Sequence, residues 1–422
     1  MKIVSMFDGM ACGMLAMQKA GIKVGRYVAF EIDKYAIQTS SHNFPMIEHR
    51  GDVFHADFTE FAGFDFLVGG SPCTYWSIAQ KNNRETEASG MGWELFSQYV
   101  RALREAQPMY FIYENNKSMT RAIRESITNT FGFEPICINS ALVSAQNRQR
   151  LYWVGKRNQD GTYSRVKVDQ PEDRGILLRD VLDCAVDNSV GIGYRGRMEE
   201  GKWVKRYESN GEPKANALTT AQTDSMVAEP ICLNSKSGRG GVEGLQPSLQ
   251  DRIYSIDGKH TAVTTAFMPK IAQPVRIGTM PRSDGKLIDH QQSRIYSIDS
   301  KSTNLNANGG GQGAKTGLYA IPVEFCGDIP TKAISGADGK TYPVYWVKDS
   351  QITIKGKQHP IKLADGFYII RKLTVSECKR LQTVPEWYEF PVSDSQAYKM
   401  LGNGWTVEVI AHLINATQNE RS

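Results

Sequence analysis

No run in this 422-residue chain is apolar for long enough to cross a bilayer, and none of its seven cysteines forms a C-x-x-C pair. The seven histidines are scattered without ligand spacing, so structural zinc and a disulfide framework are both disfavoured. The amino-terminal MKIVSMFDGM enters a strand instead of a signal peptide, which points to the cytosol. Charge is nearly balanced, 50 Lys and Arg against 45 Asp and Glu, and its small excess sits in one place. Residues 190 to 320 hold 17 basic against 12 acidic side chains, and the rest of the chain is neutral. Such a segment suits a surface meeting a polyanion, and equally a solvated face that binds nothing. Hydrophobic residues make up 41% of the chain, enough at this length for two domain cores.

From residue 2 to 155 short apolar β-type runs alternate with amphipathic helical stretches, the pattern of a parallel sheet covered on both faces. Strands are expected at Ile3–Phe7, Val24–Phe30, Phe64–Gly69, Met109–Tyr113, Pro135–Asn139 and Leu151–Val154. Helices fit between them at Met10–Ala20, Lys34–Asn43, Trp93–Ala106 and Met119–Thr130. The fold class is α/β, a doubly wound, Rossmann-like sheet. Residues 156 to about 190 read as a charged connector around Pro171. Beyond it the composition turns to Gly, Ser, Thr and Asn, and an internal repeat appears. Arg252-Ile253-Tyr254-Ser255-Ile256-Asp257 recurs 42 residues on as Arg294-Ile295-Tyr296-Ser297-Ile298-Asp299, with a looser copy from Arg206. Each copy reads as a hairpin turning at Asn-Gly or Asp-Gly, its Arg and Tyr either contacting phosphates and bases or packing within the repeat. From Arg371 the helical period returns, with a Thr374/Glu377 capping box opening a helix to Leu381 and a further helix at Val407–Ala416. The domain reading is a catalytic unit at 1–187, completed by 392–422, and a smaller β-rich unit with the repeats at 188–391.

Chemistry concentrates at the strand ends. Phe7-Asp8-Gly9-Met10-Ala11-Cys12-Gly13 would let a ligand approach backbone and helix amino terminus at the first βα turn, but lacks the full G-x-G-x-x-G. Glu31 ends the second strand, where an acid can accept from ribose hydroxyls, and Gly51-Asp52 follows the third. A nucleoside cofactor without a pyrophosphate is the inference. Gly69-Gly70-Ser71-Pro72-Cys73 closes a buried run, which makes Cys73 either a nucleophile in the crevice or a small buried apolar residue. Glu114-Asn115-Asn116 emerges from an apolar wall beside it, where partial desolvation would raise the carboxyl's pKa and let it donate a proton. In Gln146-Asn147-Arg148-Gln149-Arg150 the i, i+2 spacing puts both guanidiniums on one face, to bind an oxyanion, a carbonyl or Glu114, or to form structural ion pairs.

Taken in order with Arg371 to Leu381 and Gln396 to Val407, these motifs resemble the DNA (cytosine-5)-methyltransferases. The resemblance covers roughly residues 1 to 160 and 370 to 415. Ser5-Met6-Phe7-Asp8-Gly9, Gly25-Arg26-Tyr27 and Trp405 are similar to the animal de novo enzymes, while the compact chain suits a bacterial or phage source and a nucleoid location. The resemblance implies an S-adenosylmethionine-dependent fold with a target-recognition domain, acting as a monomer on duplex DNA, away from membranes and without a metal. It implies that Cys73 adds to C6 of a flipped cytosine while Glu114 engages N3, with Arg148 and Arg150 holding the cytosine carbonyl and the glutamate. Cofactor contacts fall on Phe7, Asp8, Gly9, Met10, Gly13, Glu31, Ile32, Asp52, Val53, Pro72, Leu95, Asn403 and Trp405. DNA contacts fall on Ser77, Ala79, Lys81 and Arg84, in a polar segment from Ser77 to Gly92 with the composition of a lid, and on Arg206, Arg252 and Arg294 in the repeats. Thr74 stands where many bacterial members carry Gln, and Asn116 where Val is usual; neither removes a catalytic group. A tRNA cytosine-5 methyltransferase can share these motifs, but this chain lacks the Cys-Phe-Thr motif of that branch. A catalytically silent DNA-binding homologue is opposed by the intact Cys73, Glu114, Arg148 and Arg150.

Overall fold

A computed structural model describes residues 1–77, 84–183, 192–199, 202–209, 274, 276–281, 293–305, 318–323, 333–335, 341–354 and 356–419, with backbone alone at 73, 192–199, 202–209, 322–323, 333–335 and 341. The first sheet contains β1 (Lys2–Met6), β2 (Arg26–Phe30), β3 (Glu48–His49), β4 (Phe66–Gly69), β5 (Tyr110–Asn116), β6 (Ile136–Asn139), β7 (Gln149–Arg157) and β8 (Tyr163–Arg165). Their order is β3-β2-β1-β4-β5-β7-β6, with β8 on β7. Helices α1 (Cys12–Lys19), α2 (Lys34–Asn43), α3 (Gly90–Ala106) and α4 (Arg121–Phe131) fall where the sequence pattern puts them. β4 and β5 are buried along their whole length, which is why both read as unbroken apolar runs. Asp33 starts α2 by accepting the Tyr35 and Ala36 amides on its side chain.

The all-parallel expectation fails at β7, which runs antiparallel to both β5 and β6. Residues 140–148 link β6 to β7, too short a connection for the crossover helix that a parallel neighbour requires. Because β7 pairs along all of β5, that strand continues through Glu114 to Asn116 instead of ending at Tyr113. The stretch read as a connector is also more than a linker. Val166, Val168, Leu178 and Val181 are buried in the same core as Leu15 and Ile112.

β9 (Ile192–Glu199) and β10 (Lys202–Ser209) form an antiparallel pair. The second large sheet comprises β11 (Arg276–Thr279), β12 (Arg294–Ser297), β13 (Leu318–Val323), β14 (Ala333–Ser335), β15 (Thr341–Lys348), β16 (Gln351–Ile354), β17 (Lys357–Pro360) and β18 (Gly366–Arg371). Its order is β11-β12-β13-β18-β15-β16-β17, with β14 on β15. The Arg294 repeat copy is β12, and it is not a hairpin: it pairs antiparallel with β11 before it and parallel with β13 after it. Its Tyr296 is buried against Tyr319, with ring centroids 5.9 Å apart, so this tyrosine packs within the sheet. The Arg252 copy lies outside the described residues.

The chain re-enters the first core well before residue 392. Leu373, Cys378, Leu381, Val384 and Tyr388 are buried together with Met10 and Leu15. Helices α5 (Val375–Leu381), α6 (Asp394–Asn403) and α7 (Val407–Asn419) follow, and the expected capping box at Thr374 and Glu377 is present. Among the described residues no helix is long and apolar enough to cross a membrane.

The join between β18 and α5 is a buried ion pair. Arg371 donates to both Glu377 oxygens, at 2.7 and 2.6 Å, and the Thr374 and Asp183 amides donate to the same carboxylate. Removing one partner of such a pair leaves a buried charge uncompensated, at about 3–5 kcal/mol. Arg371→Met is therefore expected to shift the urea unfolding midpoint by a destabilisation of that order. A change within error of zero would show that the pair contributes nothing to holding the two sheets together.

Candidate active site

The ends of β4 and β5 lie side by side, with Gly69 opposite Tyr113. A Cβ at Gly69 would stand 2.8 Å from the Met6 carbonyl, and one at Gly70 would stand 2.8 Å from the Glu114 carboxylate. Both glycines are thus dictated by close approach. The Ser71 and Tyr113 hydroxyls are 2.7 Å apart, and the Asn115 amide donates to the Ser71 carbonyl at 3.2 Å. Cys73 then opens a short 3-10 turn to Tyr75, so its backbone is tied to the strand carrying Glu114.

Glu114 is 7% exposed and held from two sides. Arg150 Nε lies 3.0 Å from Oε1, and the Trp405 indole donates to Oε2 at 3.0 Å. A buried carboxylate with a charged and a neutral donor is fixed in orientation. Sequence reasoning assigned Trp405 to the cofactor and missed this contact, which no local pattern signals across 291 residues. The expectation that both arginines share one face needs correcting. Arg148 precedes β7, so strand alternation does not govern it, and its guanidinium is directed at the Gly402 carbonyl at 3.2 Å, the Gly404 carbonyl at 2.8 Å and Asn304 Oδ1 at 2.8 Å. Arg150 grips the acid, while Arg148 ties its loop to the segment carrying Trp405.

At the first βα turn Phe7, Gly9 and Ala11 all have φ near +60°. The turn is braced by Glu31, whose carboxylate accepts the Gly9, Ile32 and Asp33 amides at 2.8 Å each. Three bonds leave capacity on a carboxylate for about one more donor, such as a ribose hydroxyl. A Cβ at Gly9 or Gly51 would meet nothing within 4 Å, so both turns border open space. Ile32 is 73% exposed beside it, and Asp52 caps the next turn by accepting the Phe54 amide. Apolar surface for a base, open space against backbone and two carboxylates for hydroxyl or amine groups fit a nucleoside cofactor. Pro72 and Asn403 are exposed and Phe7 and Leu95 half-buried. Met10, Gly13 and Val53 are buried instead, and packing accounts for them: a Cβ at Gly13 would collide with the Tyr27 hydroxyl, and Met10 gives its carbonyl to Tyr388.

The outer half of the expected lid is braced. Arg84 donates to the Trp76 and Ser118 carbonyls, and Glu85 accepts from the Trp76 indole and the Gly92 amide. Ser77 is half-buried, while Ala79 and Lys81 lie outside the described residues, as does Arg252. Arg206 lies in β10, and Arg294 is half-buried at the start of β12.

A family model described as C-5 cytosine-specific DNA methylase matches residues 1–419. The chain is 24% identical to the orphan methyltransferase M.Rho11sI of Bacillus phage rho11s, covering 100% of this chain and 99% of that one. It is 25% identical to the type II methyltransferase M.HgiCII of Herpetosiphon aurantiacus, over 99% and 97% of the two chains. Among solved structures, the methyltransferase EhMeth of Entamoeba histolytica shares the fold, with a TM-score of 0.52 at 11% identity over 100% of this chain and 98% of that one.

One group beside the open turn titrates in an unusual range. Asp8 is buried and accepts the Tyr27 hydroxyl at 2.7 Å. Desolvation, opposed by the Ser5 and Tyr27 hydroxyls and reinforced by Glu31, pushes its carboxyl up from 3.8 to about 7. Between those values the folded chain holds a proton that the unfolded chain has lost. This group's contribution to stability is therefore full below pH 3.8 and declines as pH rises to 7. Asp8→Asn should flatten the fall in melting temperature over that window. An unchanged pH–melting profile in the variant would mean that Asp8 titrates in its ordinary range.

Proposed function

Because the chain belongs to the C-5 cytosine-specific DNA methylase family, we propose that it methylates C5 of a cytosine flipped out of a specific duplex site, through a covalent adduct with Cys73. The observation that carries this reading is the juncture of two strand ends. The Ser71-Pro72-Cys73 turn is bonded to the strand of a buried carboxylate, which an arginine and an indole hold in place.

Enzymes of this family use S-adenosylmethionine, which supplies an electrophilic methyl group when bound. Phe7, Gly9, Glu31, Ile32 and Asp52 line the open turns that would hold it. The Cys73 thiolate adds to C6 of the extruded base while Glu114 protonates or hydrogen-bonds N3, so electron density builds at C5. After C5 takes the methyl group, loss of the C5 proton and departure of the thiolate restore the ring. Arg150 keeps Glu114 turned toward the base. Unpairing the target costs a few kcal/mol, to be recovered from contacts in this pocket and along the backbone.

We assign site choice to the part of the 188–391 segment that ends with β18 at Arg371, with Arg206, Arg252 and Arg294 as phosphate or base contacts, and Ser77, Ala79 and Lys81 as contacts near the flipped base. Arg84 is assigned to bracing, since its guanidinium is spent on two backbone carbonyls. The enzyme is read as a monomer on DNA.

Cys73→Ser is expected to abolish transfer of tritiated methyl groups to DNA while duplex binding persists. The unaltered protein should form a denaturant-stable adduct with DNA containing 5-fluorocytosine, which cannot release the C5 substituent as a proton. Full turnover by the serine variant would end the covalent reading. Glu114→Gln should lower the transfer rate on the order of 10²-fold, the usual contribution of a positioned proton donor, with cofactor affinity nearly unchanged. Collapse of cofactor binding with normal turnover of what remains bound would remove Glu114 from this role.

A further inference from the structure

The chemistry above makes no use of Lys301, yet this residue is only 1% exposed. It lies just beyond β12, and its ammonium donates to the carbonyls of Ala141 at 2.8 Å, Ser144 at 3.0 Å and Ile176. An ammonium has three hydrogens and no acceptor, so its bonding capacity is used up. Burial pushes its pKa down to about 8, against the opposing pull of Asp173 and Asp180. Holding an ammonium away from water is expensive, and carbonyl dipoles from two separate segments offset the cost.

What Lys301 grips is the link between β6 and β7. Its neighbours grip the same link: the Ser302 amide donates to the Ala145 carbonyl at 2.7 Å, and the Asn147 amide donates to the Ser302 carbonyl at 3.1 Å. Asn304 accepts from Arg148 at 2.8 Å, and the Leu178 amide donates to the Ser300 carbonyl. Residues 300–305 therefore run along 141–148 as a zipper. It ends on Arg148, two residues before the arginine that holds Glu114.

We propose that Lys301 is a positioning residue: it locks the second sheet's 300–305 segment onto the β6–β7 link and thereby holds Arg150 against Glu114. The second sheet is then part of the acid's alignment as well as a reader of sequence. A charge outside the pocket, on the far side of the link, sets where β7 begins.

The kinetic arm of the test rests on the methyltransferase reading; the exchange arm does not. In the full-length Lys301→Met variant the stem is kept and the donors are lost. Amides of residues 145–150 should exchange with deuterium about tenfold faster or more, as a locally opened segment does. Single-turnover methylation of a kilobase-scale unmethylated duplex, per active molecule titrated with S-adenosylhomocysteine, should slow by about 10- to 10²-fold, the cost of a misplaced catalytic group. Affinity for S-adenosylhomocysteine should stay within about twofold, since the carbonyls that lose their donor belong to none of the residues assigned to the cofactor. A purely structural lysine would reduce the active fraction and the melting temperature but leave the rate per active molecule intact, and that result would overturn the proposal. If Lys301→Met does not fold, Asn304→Ala decides: slower turnover with faster exchange at 145–150 supports the zipper, and unchanged values refute it. If the unaltered protein transfers no methyl group, the functional reading falls, and exchange alone then decides the zipper.

Discussion

A carboxylate and a guanidinium 3.0 Å apart across two antiparallel strands constrain most of this architecture. Glu114 and Arg150 can meet because β7 is inserted antiparallel beside β5, which places Arg150 opposite Asn116, two positions along from the acid. An ionic pair buried this deeply is tolerated only when its remaining valences are filled. The Trp405 indole fills one, and the absence of a side chain at Gly70 leaves the acid room against the neighbouring strand. Residues from β5, from β7 and from the segment before α7 thus converge on two side chains. The resulting site is preorganised, with little left to reorient when charge develops.

The cofactor side follows the same logic with backbone instead of side chains. Glu31 collects three amides from two turns, so the open cradle at Gly9 is shaped before anything enters it. Asp8 looks from its position like a ligand contact, but it is turned inward to Tyr27. Acids at the ends of two neighbouring strands therefore divide the work: Glu31 sets the rim, and Asp8 lies in the wall.

Features written locally were legible in the sequence. The apolar runs of β4 and β5 and the Thr374/Glu377 box each depend on residues within a few positions of one another. The Gly69-Gly70 pair was legible only as the end of a buried run; the close approach of Met6 and Glu114 that requires glycine there was not. What was hidden is what depends on distant chain. Leu151 to Val154 reads as a strand but carries no direction, so the antiparallel insertion of β7 had no signal. Period-two reasoning put Arg148 and Arg150 together, and it failed because only Arg150 lies within the strand. Trp405 and Lys301 reach their partners across more than a hundred residues, and nothing beside either one in sequence marks the contact.

Helix α7 packs on α1, with Lys19 and Glu408 2.9 Å apart, and Trp405 stands just before that helix. The second sheet is thus inserted in chain order between two parts of the first core rather than appended after it. During synthesis β1 to β8 leave the ribosome long before the residues that cover α1 and close over Glu114. At 5–20 residues per second, the more than 200 residues between β8 and Trp405 take on the order of tens of seconds. For that interval the nascent chain holds the Ser71-Pro72-Cys73 turn without the indole beside Glu114, and without the helix that packs on α1. The order of translation therefore delays assembly of the pocket around Glu114 until nearly the whole chain is available.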